Sequence, residues 1–182
     1  MQIANLNINL PQKKEEEFLK IDFTSLFDFD FKEHKTLDFA LDLESIKDDE
    51  VYDSKLFSIA NSFDNSKRVL TISEDLEKPL IIVNKLKNSE TLYTNNLLIN
   101  VKEGVKASVI EVFTSNLNNS TILANRTIEV EKNSSLEYVK KQSSENVQNI
   151  MTQTNKISFF DIATLDFPGY ATSVESKELP EG

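Results

Sequence analysis

From residue 66 onward apolar and polar positions alternate, and the alternation recurs every 29 residues. Leu70, Ile99, Ile128 and Ile157 fall in one column, and two places further on Ile72, Val101, Val130 and Phe159 form a second. A turn-former follows in three copies (Asp75, Gly104, Asn133), and apolar positions resume at Leu80, Val109, Tyr138 and Phe167. Period-two alternation marks a half-buried strand, and self-similarity at roughly 20–50 residues marks a stacked architecture in which each unit buries its apolar face on its neighbours. The unit here is strand, tight turn, strand. Val69–Ser73 and Leu80–Val83 flank Glu74–Pro79, Asn96–Lys102 and Ala107–Phe113 flank Glu103–Lys106, and Thr127–Glu131 and Leu136–Lys140 flank Lys132–Ser135, with Ile157–Phe160 opening a fourth copy. The pattern predicts a mainly β fold, a parallel β-solenoid with Ile99, Ile128 and Ile157 as an interior ladder. Gly104 and Asn133 are residue types that tolerate a left-handed backbone, and a positive φ is expected at both.

Before residue 66 the pattern changes. Leu19, Phe23, Leu26 and Phe27 repeat at helical spacing, and Glu15–Glu17 sit in the first turn, where the helix dipole favours negative charge; together they predict a helix over Lys14–Phe27. Leu37, Phe39, Leu41 and Leu43 alternate strictly and predict a strand, with a helix continuing through Ile46 as the alternative. Residues 47–56 read as an acidic surface connection, and the small polar residues of Asn61–Ser66 as a linker or turn. The chain therefore divides into an acidic, Phe-rich region at 1–65 and a repeat region at 66–182. Residues 1–65 carry 7 Lys+Arg against 15 Asp+Glu and 8 of the 12 Phe.

Charge and composition narrow the function. A net charge of −10 over 182 residues argues against nucleic acid or an anionic membrane as a partner. With no cysteine there is no disulfide, thiol nucleophile or thiolate ligand in this chain, and the single His34 removes multi-histidine metal sites and an HExxH motif. Neither a signal peptide nor an apolar run long enough to span a bilayer is visible, so cytoplasm is the expected compartment. The Asn-x-Ser/Thr triplets at Asn118, Asn125 and Asn133 would matter only in a secreted protein.

Candidate chemistry is sparse. Gly104 and Gly169 stand alone, outside any phosphate-binding loop. His34 lies in a charged stretch and reads as a solvated surface residue. Asp28, Asp30, Asp38 and Asp42 lack the spacing of a calcium loop and read as a solvated acidic face. Glu111 and Glu137 invite comparison with the paired carboxylates of glycan-cleaving β-helices; outward strand carboxylates balanced by Lys106 and Lys140 are the favoured reading. Phe23, Phe27, Phe29 and Phe31 read as the core of a small helical cap, with partner binding as the alternative. No catalytic, cofactor-binding or metal-binding residue is assigned.

Four segments, Glu15–Leu26, Leu76–Ile82, Val101–Glu111 and Ser135–Gln142, together resemble the SufB/SufD family of iron–sulfur cluster assembly scaffolds. Glu15–Leu26 is similar to the family's N-terminal helix, with Phe18 where the family usually has Trp. Leu76–Ile82 resembles its leucine-glutamate-lysine-proline-isoleucine strand. Val101–Glu111 resembles its V-x-E-G-A-x-A-x-V-I-E segment, and Ser135–Gln142 its A-x-L-E-Y-x-x-I-Q segment. The resemblance runs from about residue 13 to 167 and corresponds to the front half of a full-length member. It implies a right-handed parallel β-helix and a non-catalytic, SufD-like scaffold working with a SufC-like ABC-type ATPase and a second, SufB-like scaffold. The family's cluster-associated residues lie in a later region, so no ligand is carried over; an iron–sulfur cluster is expected only through partner subunits. A carbohydrate-binding or polysaccharide-active β-helix remains the alternative, set against the absence of Trp and of an export signal and the two scattered arginines, Arg68 and Arg126.

A fifth copy would begin near position 186, beyond Gly182. The edge after Phe160 is therefore expected to pair with another strand, giving a homo-oligomer or a stack on a longer relative. The alternative is that the tail Glu175–Gly182 folds back as a polar plug.

Overall fold

A computed structural model describes residues 1–6, 10, 24–49, 55–115, 119–144, 150–159, 164–166 and 173–178. In chain order the elements are a 3-10 turn at Ile3–Asn5, α1 (Thr24–Phe27), β1 (Glu33–Thr36), β2 (Glu44–Lys47) and α2 (Lys55–Phe63). Then come β3 (Ser66–Ile72), β4 (Leu80–Lys85), β5 (Thr91–Val101), β6 (Lys106–Ser115), β7 (Thr121–Val130), β8 (Ser135–Ser144), β9 (Ile150–Phe159), β10 (Thr164–Asp166) and β11 (Ser173–Glu178). From β3 onward successive strands alternate between two sheets. The first has the order β11-β9-β7-β5-β3-β2, with β1 also pairing β5; the second has the order β10-β8-β6-β4. Among the described residues every pairing is parallel except β2 on β3.

The 29-residue columns are the register of these sheets. Leu70 pairs with Ile99, Ile99 with Ile128 and Ile128 with Ile157; Ile72, Val101, Val130 and Phe159 follow in the same way. In the second sheet Leu80, Val109 and Tyr138 align; Phe167 lies outside the described residues. Between the sheets lies an apolar core of Ile72, Ile82, Leu97, Ile99, Val101, Val109, Ile128, Val130, Leu136 and Tyr138 with smaller neighbours, and beside it a second cluster of Leu86, Tyr93, Phe113, Ile122 and Ala124. Ile99 and Ile128 are wholly buried there, as the ladder requires; the Ile157 side chain is outside the described set.

The turns stack as well. Gly104 has φ +74° and Asn133 φ +56°, the left-handed conformation expected at both. Gly104 N–H donates to Lys132 O (3.1 Å) and Ser135 N–H to Val105 O (2.8 Å), joining one turn to the next. Asp75 serves the first turn differently: its carboxylate accepts Lys106 N–H at 2.8 Å. A second corner was not anticipated. Glu90 and Asn119, again 29 residues apart, have φ +53° and +55°.

Of the expected Lys14–Phe27 helix, Thr24–Phe27 is helical and the rest lies outside the described residues. The amino-terminal region departs from its sequence reading in three places. Leu37–Leu43 is not a strand; strands flank it as β1 and β2. Its alternation survives as burial, with Leu37, Phe39, Leu41 and Leu43 each less exposed than their neighbours. After Leu37 N–H bonds Thr94 O (2.9 Å), the chain leaves the sheet and lays Phe39, Leu41 and Leu43 against the core. An extended coil over an apolar surface has the same period of two as a paired strand. The linker read at Asn61–Ser66 is also corrected: α2 runs through Phe63 and β3 starts at Ser66. Finally, Asp48 in the supposed surface connection is buried and pairs with Lys67 Nζ at 3.2 Å.

The far end differs too. Strand β11 pairs β9 with Ser176 against Ile157, a step of 19 residues in place of 29. Among the described residues β11 ends the first sheet, and it takes in residues 175–178 of the tail whose fold-back was the alternative to pairing with another chain.

Candidate functional site

Polar side chains gather at two buried places. The first lies between the sheets. β6 turns Val109, Glu111 and Phe113 inward, β7 turns Arg126 and Ile128 inward, and β8 turns Leu136 and Tyr138 inward. Glu111 and Arg126 are both fully buried and form an ion pair. Arg126 Nη2 donates to Glu111 Oε2 at 2.9 Å, and Arg126 Nε donates to Glu111 Oε1. Tyr138 OH donates to Oε1 at 2.6 Å and Asn84 Nδ2 to Oε2 at 2.7 Å. Arg126 Nη1 reaches the carbonyls of Asn95 (3.3 Å) and Asn125 (2.8 Å). Its guanidinium carbon lies 5.5 Å from the Phe39 ring centroid and 5.7 Å from that of Phe113, within cation–π range. Asn95 Nδ2 closes the group on Asn84 Oδ1 at 2.9 Å.

Burial alone would push the Glu111 carboxyl up. The charge of Arg126 and the hydrogen bonds from Arg126, Tyr138 and Asn84 outweigh it and hold the group below its ordinary value. Burial would lower the Arg126 guanidinium; the Glu111 charge overrides this and raises it. Lys140, whose Nζ is 5.5 Å from the Phe113 ring centroid, is lowered by burial, opposed by Glu111 and reinforced by Arg126. Every oxygen of Glu111 is occupied by a donor from β4, β7 or β8. The cluster ties five strands of two sheets together, β4 to β8, and leaves the carboxylate no lone reactive face.

The second place lies on the opposite face of the first sheet, under α2. Asn96 and Asn125 are register partners. Asn96 Nδ2 donates to Asn61 Oδ1 (2.6 Å), and Asn125 Nδ2 to Phe57 O (2.8 Å). Asn61 Nδ2 continues to Asp48 Oδ2 (3.2 Å), the carboxylate that holds Lys67.

The sequence candidates fare as follows. Glu111 is inward, contrary to its reading as an outward carboxylate, whereas Glu137 is exposed and accepts from Ser108 Oγ at 3.3 Å. The two stand on opposite faces of the same sheet and form no catalytic pair. His34 is half-buried, not a solvated surface group: its ring stacks on Phe63 (centroids 4.9 Å apart) and its Nε2 lies 2.8 Å from Thr94 Oγ1. Burial lowers the His34 pKa against an opposing pull from Asp64. Asp28, Asp30, Asp38 and Asp42 are exposed and dispersed; Asp30 pairs with the Met1 amine and Asp38 with Arg68. Among the described residues no group of three His, Cys, Asp or Glu is set to hold a metal ion. Phe27 and Phe31 are core residues beside Ile3, Leu26, Ile59, Ala60, Leu92 and Leu123, with Phe29 packed against them; Phe23 and Gly169 lie outside the described residues. From the sequence Arg126 read only as a scattered arginine and Asn125 only as a triplet asparagine, and Asn96 gave no signal, although Arg126 shares its parity with Ile128 and Val130.

No family model, curated protein or solved structure matches the chain. Among the described residues no helix is long and apolar enough to cross a membrane.

Proposed function

We propose that this chain is a non-catalytic, SufD-like scaffold component of cytoplasmic iron–sulfur cluster assembly, built as a right-handed parallel β-helix. It works with an ABC-type ATPase and a second scaffold subunit and holds no cluster by itself. The carrying observation is that the two most specific segments of the resemblance, Val101–Glu111 and Ser135–Gln142, lie on consecutive stacked turns. There the last residue of one, Glu111, receives the hydroxyl of Tyr138 from the other at 2.6 Å. The chain's visits to the two sheets in strict alternation support the helix, and right-handed crossover between parallel strands is the rule. A scaffold needs a stiff interior more than a reactive cleft, which fits a carboxylate whose oxygens are all engaged.

The test has two arms. Tagged chain recovered from its native host is expected to bring down an ATPase with a phosphate-binding loop and a longer β-helix protein, identified by mass spectrometry. Anaerobic reconstitution of the chain alone is expected to yield no stable chromophore. A stable, stoichiometric cluster on the isolated chain, or specific binding to a glycan array with no ATPase recovered, overturns the reading.

A further inference from the structure

The amino-terminal end of the strand stack is finished differently in the two sheets. In the first, β1 and β3 cover β5, and β2 covers β3. In the second, β4 is terminal, and among the described residues no strand pairs with its other edge. Free edges are ordinarily blunted by charge or proline; here Pro79 precedes the strand and Lys85 ends it, and Leu80–Asn84 between them carries neither. Its outward side chains, Ile81 and Val83, are 58% and 52% exposed. They continue without a break into half-buried Ile110 and Val139 in one column and Val112 in the next. An edge left unblunted along Leu80–Asn84, beside a contiguous outward apolar strip, is a pairing surface.

We infer that β4 is a homodimer edge: the β4 strands of two copies pair antiparallel about a two-fold axis at Ile82, with Ile81 of each copy opposite Val83 of the other. Three observations select this occupant and this register. Leu86 N–H donates toward β6, to Thr114 O. Strand N–H and C=O groups alternate sides, so those of Ile81, Val83 and Lys85 point to the free edge. Ile81 opposite Val83 is then a hydrogen-bonded pair, exchanging two bonds at a Cα separation of about 5.5 Å. Lys85 N–H meets the Pro79 carbonyl of the other copy, and the proline, with no N–H, leaves out only the reciprocal bond to Lys85 O. The register also sets β-branched side chains against each other on one face, the favourable cross-strand pair. Shifts of one residue would oppose inward and outward side chains, and shifts of two in either direction would set Val83 against Pro79 or Ile81 against Lys85. Finally, the flanks complement each other in charge. The chain before the strand is acidic (exposed Glu74, Asp75 and Glu77) and its far end basic (exposed Lys85 and Lys87), so antiparallel pairing brings the acidic flank of one copy toward the basic flank of the other, twice by symmetry. The product is a continuous sheet running through both molecules.

Sedimentation velocity of the full chain over a wide concentration range is expected to give a reversible monomer–dimer equilibrium. Val83→Pro removes a donor on the free edge and leaves the β6 ladder intact, the placement that edge strands tolerate. Ile81→Lys sets charge into the apolar contact. Both variants are expected to be monomers with the wild-type far-UV circular dichroism. If the proline variant does not fold, Ile81→Lys and amide exchange decide. Exchange at Ile81 and Val83 is expected to slow with wild-type concentration and to be fast in Ile81→Lys. A wild-type monomer at every concentration, or a dimer that survives both substitutions, overturns the inference. So do protected Ile81 and Val83 amides in a monomer, which would assign the edge to another segment of the same chain.

Discussion

The two sheets are made from one repeating unit, yet they solve different problems. In the first sheet β5 and β7 are buried on both faces: Thr91–Leu97 and Thr121–Ile128 are buried without interruption. In the second, β6 alternates between buried and half-exposed along its length. The first has the apolar core on one side and α2 with its aromatic neighbours on the other; the second faces outward with Ile81, Ile110 and Glu137. Burial on both faces ordinarily yields continuous apolar strands. Here the outer positions of the first sheet hold Thr94, Asn96 and Asn125 instead, each hydrogen-bonded to His34 or to the α2 region. The helix is docked by polar pairing as well as by packing, which fixes its place along the strands in a way that apolar contact alone would not.

The largest effect is expected where the sheets meet. Arg126→Met leaves the buried Glu111 carboxylate without its cation and should destabilise the fold by about 3–5 kcal/mol, read as a drop in urea midpoint. A loss under 1 kcal/mol would mean that the pair does not tie the sheets as described. The same pair sets a pH dependence. Glu111 is depressed below its ordinary 4.5 in the fold, so at acid pH the unfolded chain binds more protons than the folded one. The stability it contributes is fully present above that ordinary value and is lost as pH falls through the lowered folded-state value. The gap in midpoint between wild type and Glu111→Gln should therefore be constant near neutrality and close only in strong acid; a gap that closes near neutral pH contradicts the assignment.

On the outer face of the first sheet, Asn125→Ala removes the donor to Phe57 O and should cost about 1–3 kcal/mol, with faster amide exchange confined to α2. A smaller gain is expected at the second corner. Glu90 adopts a left-handed backbone that Asn tolerates better, and Glu90→Asn should stabilise by up to about 1 kcal/mol. On the outer face of the second sheet the matching experiment should do almost nothing. Glu137→Ala is exposed and is expected to change stability by less than about 0.5 kcal/mol. Equal losses for Asn125→Ala and Glu137→Ala would erase the contrast between the sheets.

What the sequence revealed of this molecule was its phase. The columns through Leu70 and Ile72 became the register of the first sheet, and Gly104 and Asn133 became its left-handed corners. The misreadings came from letting residue type override phase. Glu111 shares its parity with Val109 and Phe113, and Arg126 with Ile128, so alternation alone placed both indoors; their charge suggested otherwise because the opposite charge sits 15 residues away on the other sheet. His34 was misread for a related reason, since its stacking partner Phe63 comes from a helix that the polar run Asn61–Ser62 concealed. Leu37–Leu43 had the right period without the ladder, because alternation reports which side is covered and not what the backbone bonds to. The short last step to β11 broke the 29-residue count and was invisible to it.

From β3 to β9 the stacked corners act as a pitch gauge. Each repeat of 29 residues advances the first sheet by one strand spacing, about 4.8 Å, and both positive-φ positions recur at that interval. Within this stretch a segment duplicated or deleted in whole repeats keeps the register, whereas a change by an odd number of residues inside a strand turns its apolar face outward. The corners thus decide which insertions this part of the chain can absorb.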